Sequence, residues 1–156
     1  MSDDLGGKVF IVTGANSGLG LVSATEFARR GARVVMMCRS QERGAEAQRQ
    51  IVEETGGDVD LILCDFSDMS QIRAAAEAFR ETYDRLDVLL NNAGVYLPKR
   101  MVSPQGLEMT FAINHIGYFL MTHELLPLLL STEASRVVSV TSAAHYYGSL
   151  DLDDLQ

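Results

Sequence analysis

The segment Thr13-Gly14-Ala15-Asn16-Ser17-Gly18-Leu19-Gly20 carries three glycines in a Gly-x-x-x-Gly-x-Gly spacing. It follows the short apolar run Val9-Phe10-Ile11-Val12 and precedes Leu21, Ala24, Phe27 and Ala28, which recur at helical spacing. That order reads as a buried strand, a turn and a helix. A glycine turn at such a junction suits a pyrophosphate. Glycine lets the backbone turn sharply and approach phosphate oxygens, and the helix end supplies free N–H groups and partial positive charge. Gly14, Asn16, Ser17, Gly18, Leu19 and Gly20 are therefore candidate phosphate contacts. Glycines in a turn can also serve conformation alone, but their place at the first strand-to-helix junction favours binding. No Gly-Lys-Ser/Thr is present, which excludes an ATPase P-loop.

A second candidate lies at Cys38-Arg39-Ser40, after the apolar run Arg33 to Cys38. Dinucleotide folds that bind NAD place a carboxylate after the second strand, where it accepts hydrogen bonds from the ribose 2′-hydroxyl. Here there is no acid, and Arg39 can clamp a 2′-phosphate with two hydrogen bonds. The cofactor expectation is NADP ahead of NAD, with Arg39 and Ser40 as contacts. The alternative is a solvated arginine at a helix start. Glu42 could upset the choice, but it falls inside the next helix.

These residues need a scaffold of alternating elements. Gly31 closes the first helix. Ser40 caps a polar helix running to about Glu54, and Gly56-Gly57 forms a turn. Val59 to Cys64 is a third strand, and Ser67 or Ser70 starts a helix carrying Ile72, Ala75, Ala76 and Phe79. Leu86 to Leu90 is a fourth strand. A long helix is expected from about Pro104 to Tyr118, another from about Phe119 to Leu130, and a fifth strand from Val137 to Thr141. Continuously apolar strands separated by helices indicate an α/β, doubly wound parallel sheet of the Rossmann type, covered on both faces. Residues 1–156 read as one NADP-binding domain.

The composition fits this picture. The chain has 156 residues, 47% of them hydrophobic and 22% charged, and a formal net charge of −8. That charge and the lack of any Lys/Arg run argue against nucleic acid as a partner. No apolar stretch reaches the roughly 20 residues of a membrane span, and Met1-Ser2-Asp3-Asp4 lacks the pattern of a signal peptide. A cytoplasmic protein is expected. Cys38 and Cys64 read as small buried hydrophobes, and Met36, Met37, Met109 and Met121 as core filling. His115, His123 and His145 do not have metal-ligand spacing, so no metal is expected.

The glycine spacing resembles that of the short-chain dehydrogenase/reductase family, and further segments match in order. Asn91-Asn92-Ala93-Gly94 follows the fourth strand, Asn114 lies in Ile113-Asn114-His115-Ile116-Gly117, and Thr141-Ser142 ends the fifth strand. Asp65-Phe66 resembles the family's adenine-contacting pair. Cys38-Arg39-Ser40 and Ser142-Ala143-Ala144-His145 are most similar to the retinol dehydrogenase and WW-domain oxidoreductase branch. The resemblance implies an oxidoreductase moving hydride between NADP(H) and a carbonyl or alcohol. Asn114 and Ser142 would be catalytic, and Asp65, Phe66, Asn92, Ala93, Gly94 and Thr141 would contact the cofactor. It also implies a small and hydrophobic carbonyl or alcohol substrate, and a homo-oligomer for the complete protein.

In that family a tyrosine with a lysine four residues on carries the proton, the lysine lowering the phenol's pKa toward neutral. The only lysines here are Lys8 and Lys99, and neither follows a tyrosine by four. The expectation is a chain truncated before that pair, with Val137 to Thr141 as an apolar edge strand and the helix near Phe119 to Leu130 exposing an apolar face. The competing reading is a non-catalytic fragment that binds cofactor or a partner.

Overall fold

Val9–Thr13 (β1), Arg33–Cys38 (β2), Val59–Leu63 (β3), Val88–Asn91 (β4) and Arg136–Ser139 (β5) form one parallel sheet. The computed structural model describes residues 4–147 together with 151, 153 and 154. The strand order is β3-β2-β1-β4-β5. The chain winds outward from β1 to β3 and then crosses to the other side. The crevice at the carboxyl ends of β1 and β4, where that reversal falls, is where open α/β sheets bind ligands.

The helices are Gly18–Arg29 (α1), Gln41–Thr55 (α2), Met69–Thr82 (α3), Met109–Phe111 (α4) and Gly117–Ser131 (α5). Alternation along the strands divides the core in two. Phe10, Val12, Val34 and Met36 pack against Ala24 and Ala28 of α1 and Ala47 and Ile51 of α2. Ile11, Val35, Met37 and Leu89 pack against Ile72 and Phe79 of α3 and Leu120, Met121 and Leu125 of α5. Met36, Met37 and Met121 are buried, and Met109 packs at the edge of the second cluster.

Three boundaries differ from the sequence expectation. No helix starts at Pro104. The hydrogen bonds Ser103 N to Leu107 O, 2.8 Å, and Leu107 N to Ser103 Oγ, 3.2 Å, close a tight turn that needs Gly106 at φ +84°. Glu108 then caps α4 by accepting from Phe111 N. The chain continues as a π-helical segment, Ala112–Ile116, directly into α5, with no break at Phe119. The third helix is capped by Asp68, which accepts from Ser70 N at 2.9 Å, and by neither serine. Ser67 instead turns its hydroxyl to Asp65.

Among the described residues β5 is an edge of the sheet, and Val137 and Val138 are 45% and 47% exposed. On α5, Leu125 and Leu129 are buried, whereas Phe119, Leu126 and Leu130 face outward. The Leu125–Leu130 stretch is therefore only half a core face. Among the described residues no helix is long and apolar enough to cross a membrane.

The base of the sheet is tied by one carboxylate. Asp87 accepts from Val9 N at 2.9 Å and from both Arg85 Nε and Nη2, at 2.9 and 2.7 Å, while only 6% exposed. Burial pushes its carboxyl up, but the Arg85 and Val9 hydrogen bonds outweigh that and hold it below the ordinary range. A lowered folded pKa means that the charged form stabilises the fold at neutral pH. That contribution is lost as acidification passes from the ordinary carboxylate value, about 4, down through the folded one. Asp87→Asn should cost about 1–3 kcal/mol at pH 7 and less at pH 3. Urea unfolding at both pH values checks this. An equal cost at both would show that Asp87 contributes only shape.

Candidate functional site

The glycine segment turns at the end of β1 and is held there from β4. Thr13 Oγ1 accepts from Asn92 N at 2.8 Å and Ala93 N at 2.9 Å, and donates to Leu90 O at 3.3 Å. The Asn92 amide donates in turn to Thr13 O at 2.9 Å and Gly14 O at 3.4 Å. Buried Thr13 joins two strand ends that are 79 residues apart. Sequence reading takes it only as the strand's end. The available signal was a hydroxyl standing between an apolar run and a glycine.

The three glycines do different work. Gly14 has φ +65°, and a Cβ there would lie 2.8 Å from Ala93 Cα. Gly20 would place a Cβ 2.5 Å from both Asn92 Nδ2 and Gly14 O, so it is what lets α1 approach the strand end. Gly18 has φ +54° and nothing within 4 Å of its Cβ position, which faces open space. Ser17 makes no side-chain cap to α1, and no acid sits in the first turn. The first-turn N–H groups of α1 remain available to an anion. Beneath the loop, burial pushes the Cys38 thiol up to about 11, despite N–H bonds from Ala15 and Asn16. Burial likewise pushes Cys64 up to about 12. Both cysteines are free and buried, hence inert.

A cleft of about 310 Å³ opens beside the loop, and Gly14, Asn16, Ser17, Arg39, Asp65 and Ala93 reach its wall, with Met37 and Arg43. A larger cleft of about 850 Å³ runs between α5 and β5, and Asn114, Thr141 and Ser142 reach it. Asn92, Gly94 and Val95 line both clefts, so the two meet there. The structure thus gathers the nucleotide candidates on one side and the polar candidates Asn114 and Ser142 on the other. Gly18, Leu19, Gly20 and Ser40 line neither cleft. Leu19 is 69% exposed at the start of α1, and Ser40 Oγ is occupied as the cap of α2, accepting from Arg43 N at 3.3 Å.

Two of the candidate side chains are also fixed within the fold. Phe66 lines the smaller cleft but is 5% exposed, and its ring sits where a Cβ on Gly117 would fall, 2.9 Å from Cδ1. Its ring belongs to the core under α5. Asn114 receives Val95 N at 2.9 Å on Oδ1 and donates Nδ2 to Val95 O at 2.8 Å. Its amide braces Val95 at the junction of the clefts. The π-helical turn carries this residue, and such turns recur at functional sites. Ser142 is exposed, its Oγ accepting from Ala144 N at 3.1 Å. Asn91, quoted in the sequence motif but given no role there, is buried at the end of β4. It donates Nδ2 to Thr122 Oγ1 at 3.2 Å.

A family model described as short chain dehydrogenase matches residues 8–151. Dehydrogenase/reductase SDR family member 13 from Homo sapiens is 46% identical over 97% of this chain and 40% of its own length. Retinol dehydrogenase 11 from Homo sapiens is 43% identical over 97% of this chain and 48% of its own. Among solved structures, a short chain dehydrogenase from Escherichia coli CFT073 complexed with NADPH aligns with a TM-score of 0.82 at 30% identity. The alignment covers 96% of this chain and 64% of that one. The chain spans less than half the length of these two curated relatives.

Proposed function

The chain belongs to the short-chain dehydrogenase/reductase family of oxidoreductases, and we propose that it is the NADP(H)-binding domain of an enzyme acting on a carbonyl or alcohol. The single observation that carries the cofactor choice is Arg39. It stands at the wall of the smaller cleft, exposed, with no ion pair among the described residues and no acid at 38–40. The glycine cradle fits a pyrophosphate, because Gly18 leaves open space at the helix N-terminus and Gly14 and Gly20 exclude side chains. The NADPH complex of the Escherichia coli relative supports the same choice.

When bound, the nicotinamide supplies the hydride. This chain's residues bind and orient. Gly14, Asn16, Ser17, Gly18 and the N–H groups of Leu19 and Gly20 hold the pyrophosphate. Arg39 holds the 2′-phosphate, Asp65 meets the adenine side, and Asn92, Ala93 and Gly94 form the floor toward Thr141. The Ser142 hydroxyl holds the substrate oxygen, and Asn114 keeps Val95 in place. Apolar Phe119, Leu126, Val137 and Val140 line the larger cleft and favour a hydrophobic carbonyl substrate. The two free, buried cysteines are in keeping with a cytoplasmic site.

NADPH should bind more tightly than NADH, and Arg39→Ala should remove most of the difference. It deletes a charge-assisted contact of roughly 1.5–3 kcal/mol. Calorimetric titration of both cofactors checks this, and equal affinities in the parent chain would sink the reading. A second reading, a partner-binding module, is favoured by the exposed valines of β5 and by Phe119 and Leu130. The two part on whether Arg39→Ala changes any measured affinity.

A further inference from the structure

The buried polar side chains among the described residues are Thr13, Asp87, Asn91, Ser103 and Thr132. All but one have their partners. Thr13 and Asp87 brace the strand ends as described above. Ser103 Oγ accepts from Leu107 N, and Thr132 Oγ1 accepts from Leu86 N at 3.1 Å and donates to Leu128 O at 2.8 Å. Asn91 is different. It is 1% exposed, its Nδ2 donates to Thr122 Oγ1, and its Oδ1 accepts from nothing among the described residues. A buried amide oxygen without a donor lowers stability, because the water it gave up on folding is not replaced.

Asn91 ends β4 and lines the larger cleft from below. Thr122 lines the same cleft from α5, half-buried, and its own proton has no acceptor among the described residues. Ser139 is the register partner of Asn91 on β5 and lines the cleft as well. Residues in register on adjacent parallel strands point to one face of the sheet. The Asn91 amide and the Thr122 and Ser139 hydroxyls therefore share one polar floor. The walls above it are apolar, from Phe119, Leu126 and Val137. A few convergent polar groups under apolar walls make a small-molecule site. Ser142 lies three residues beyond Ser139, which places it at most about 11 Å further along the chain.

A hydroxyl group matches this floor, since it can donate to an amide oxygen and accept from a threonine proton at once. Turning the Asn91 amide over would leave its NH2 unpaired instead, and a hydroxyl would satisfy that pose too. We propose that Asn91 and Thr122 form a hydroxyl-binding subsite at the floor of the larger cleft. It takes the terminal primary hydroxyl of an otherwise apolar chain, because an amide only 1% exposed is reached by a slender end and not by a branched one. The substrate class this implies rests on the reading above, in which Ser142 holds the reacting carbonyl. The substrate then carries a hydroxyl at its far end as well. The subsite itself needs no cofactor.

The test uses the full chain and two probes of similar size, 1-hexanol and 1-fluorohexane, of which only the alcohol donates a hydrogen bond. Both are titrated by NMR, with the Asn91 side-chain amide signals as the local readout. 1-Hexanol should shift those signals, and 1-fluorohexane should not. In Asn91→Leu the ratio of alcohol to fluoride affinity should fall by about tenfold, the worth of one hydrogen bond to a buried acceptor. The urea midpoint should hold or rise, since an unpaired buried amide gives way to an apolar group of like size. Thr122→Val, at a half-buried position, removes the other partner and should lower the ratio too. It carries the test alone if Asn91→Leu does not fold. A ratio unchanged in the variant that folds would overturn the subsite. So would Asn91 amide signals that ignore 1-hexanol, which would mean that a firmly held water already fills the floor. NADPH binding without the alcohol preference overturns the subsite and leaves the cofactor reading standing. The alcohol preference without NADPH binding does the reverse.

Discussion

Gly20→Val should destabilise the chain by about 3 kcal/mol or more and abolish measurable nucleotide binding. The new Cβ would lie 2.5 Å from Asn92 Nδ2 and 2.5 Å from Gly14 O. Neither neighbour can yield cheaply. Gly14 O is backbone at the end of β1, and the Asn92 amide is held by its bonds to Thr13 O and Gly14 O. Relief requires α1 to move off the sheet, which would strip Ala24 and Ala28 from their contacts with the strands. Overpacking a tolerant core typically costs 1–3 kcal/mol, and this site is backbone on both sides. In urea the midpoint should fall by about 1–3 M, given slopes of about 1–3 kcal/mol/M.

Gly18→Val is the informative contrast. It should lower stability by only about 1–2 kcal/mol, the cost of a β-branched residue at φ +54°. It should still weaken NADPH sharply, because in the proposed binding mode the pyrophosphate would approach through the open space at its Cβ. If the two variants lost stability equally, the close approach assigned to Gly20 would be wrong. If Gly18→Val bound NADPH like the parent, Gly18 would be a turn residue only.

Much of this was legible in the sequence, for a physical reason. β1, β2 and the helix after the glycines are set by local hydrophobic period and by turn chemistry, so a short window contains the information. The parallel sheet with helices on both faces follows from the alternation of strands and helices, whereas its order comes from the structure. The exposed valines of β5 and the outward face of α5 were expected from the family resemblance and not from the hydrophobic pattern, which reads the same for a covered strand. What was not legible depends on distant chain. Thr13 is a brace only because Asn92 and Ala93 arrive beside it. The packing of the Phe66 ring into the space above Gly117, 51 residues away in sequence, likewise depends on distant chain.

The helix at 104–118 shows the other kind of limit. Its apolar spacing continues through a tight turn, and the hydrogen bonds of Ser103 and Leu107 decide where helix begins. The π-helical register at Ala112–Ile116 leaves no mark in the hydrophobic pattern, yet it carries Asn114 to Val95.

The 156 residues taken by themselves should bind NADPH and yet show no turnover with aldehydes, ketones or alcohols. Reduction of a carbonyl needs a group that gives up a proton near neutral pH, and such groups contribute about 10²–10⁴-fold. Of the groups at the larger cleft, Ser142 is a plain alcohol whose Oγ accepts from Ala144 N, and the Asn114 amide is bound to Val95 at both ends. Tyr118 is the phenol best placed to substitute, as it lines the cleft four residues after Asn114. Burial pushes its pKa up, away from neutral, and no lysine in the sequence is four residues on to pull it down. The cleft is also open along β5, where Val137, Val138 and Val140 are exposed, so water reaches the place where hydride would move. The measurement is NADPH oxidation followed by absorbance with a panel of aldehydes and ketones, with calorimetry beside it to show that the cofactor is bound. The expected result is binding without oxidation, unchanged by Ser142→Ala or Tyr118→Phe. Steady oxidation that Tyr118→Phe abolishes would overturn it, and would make the half-buried phenol on α5 the proton donor of this chain.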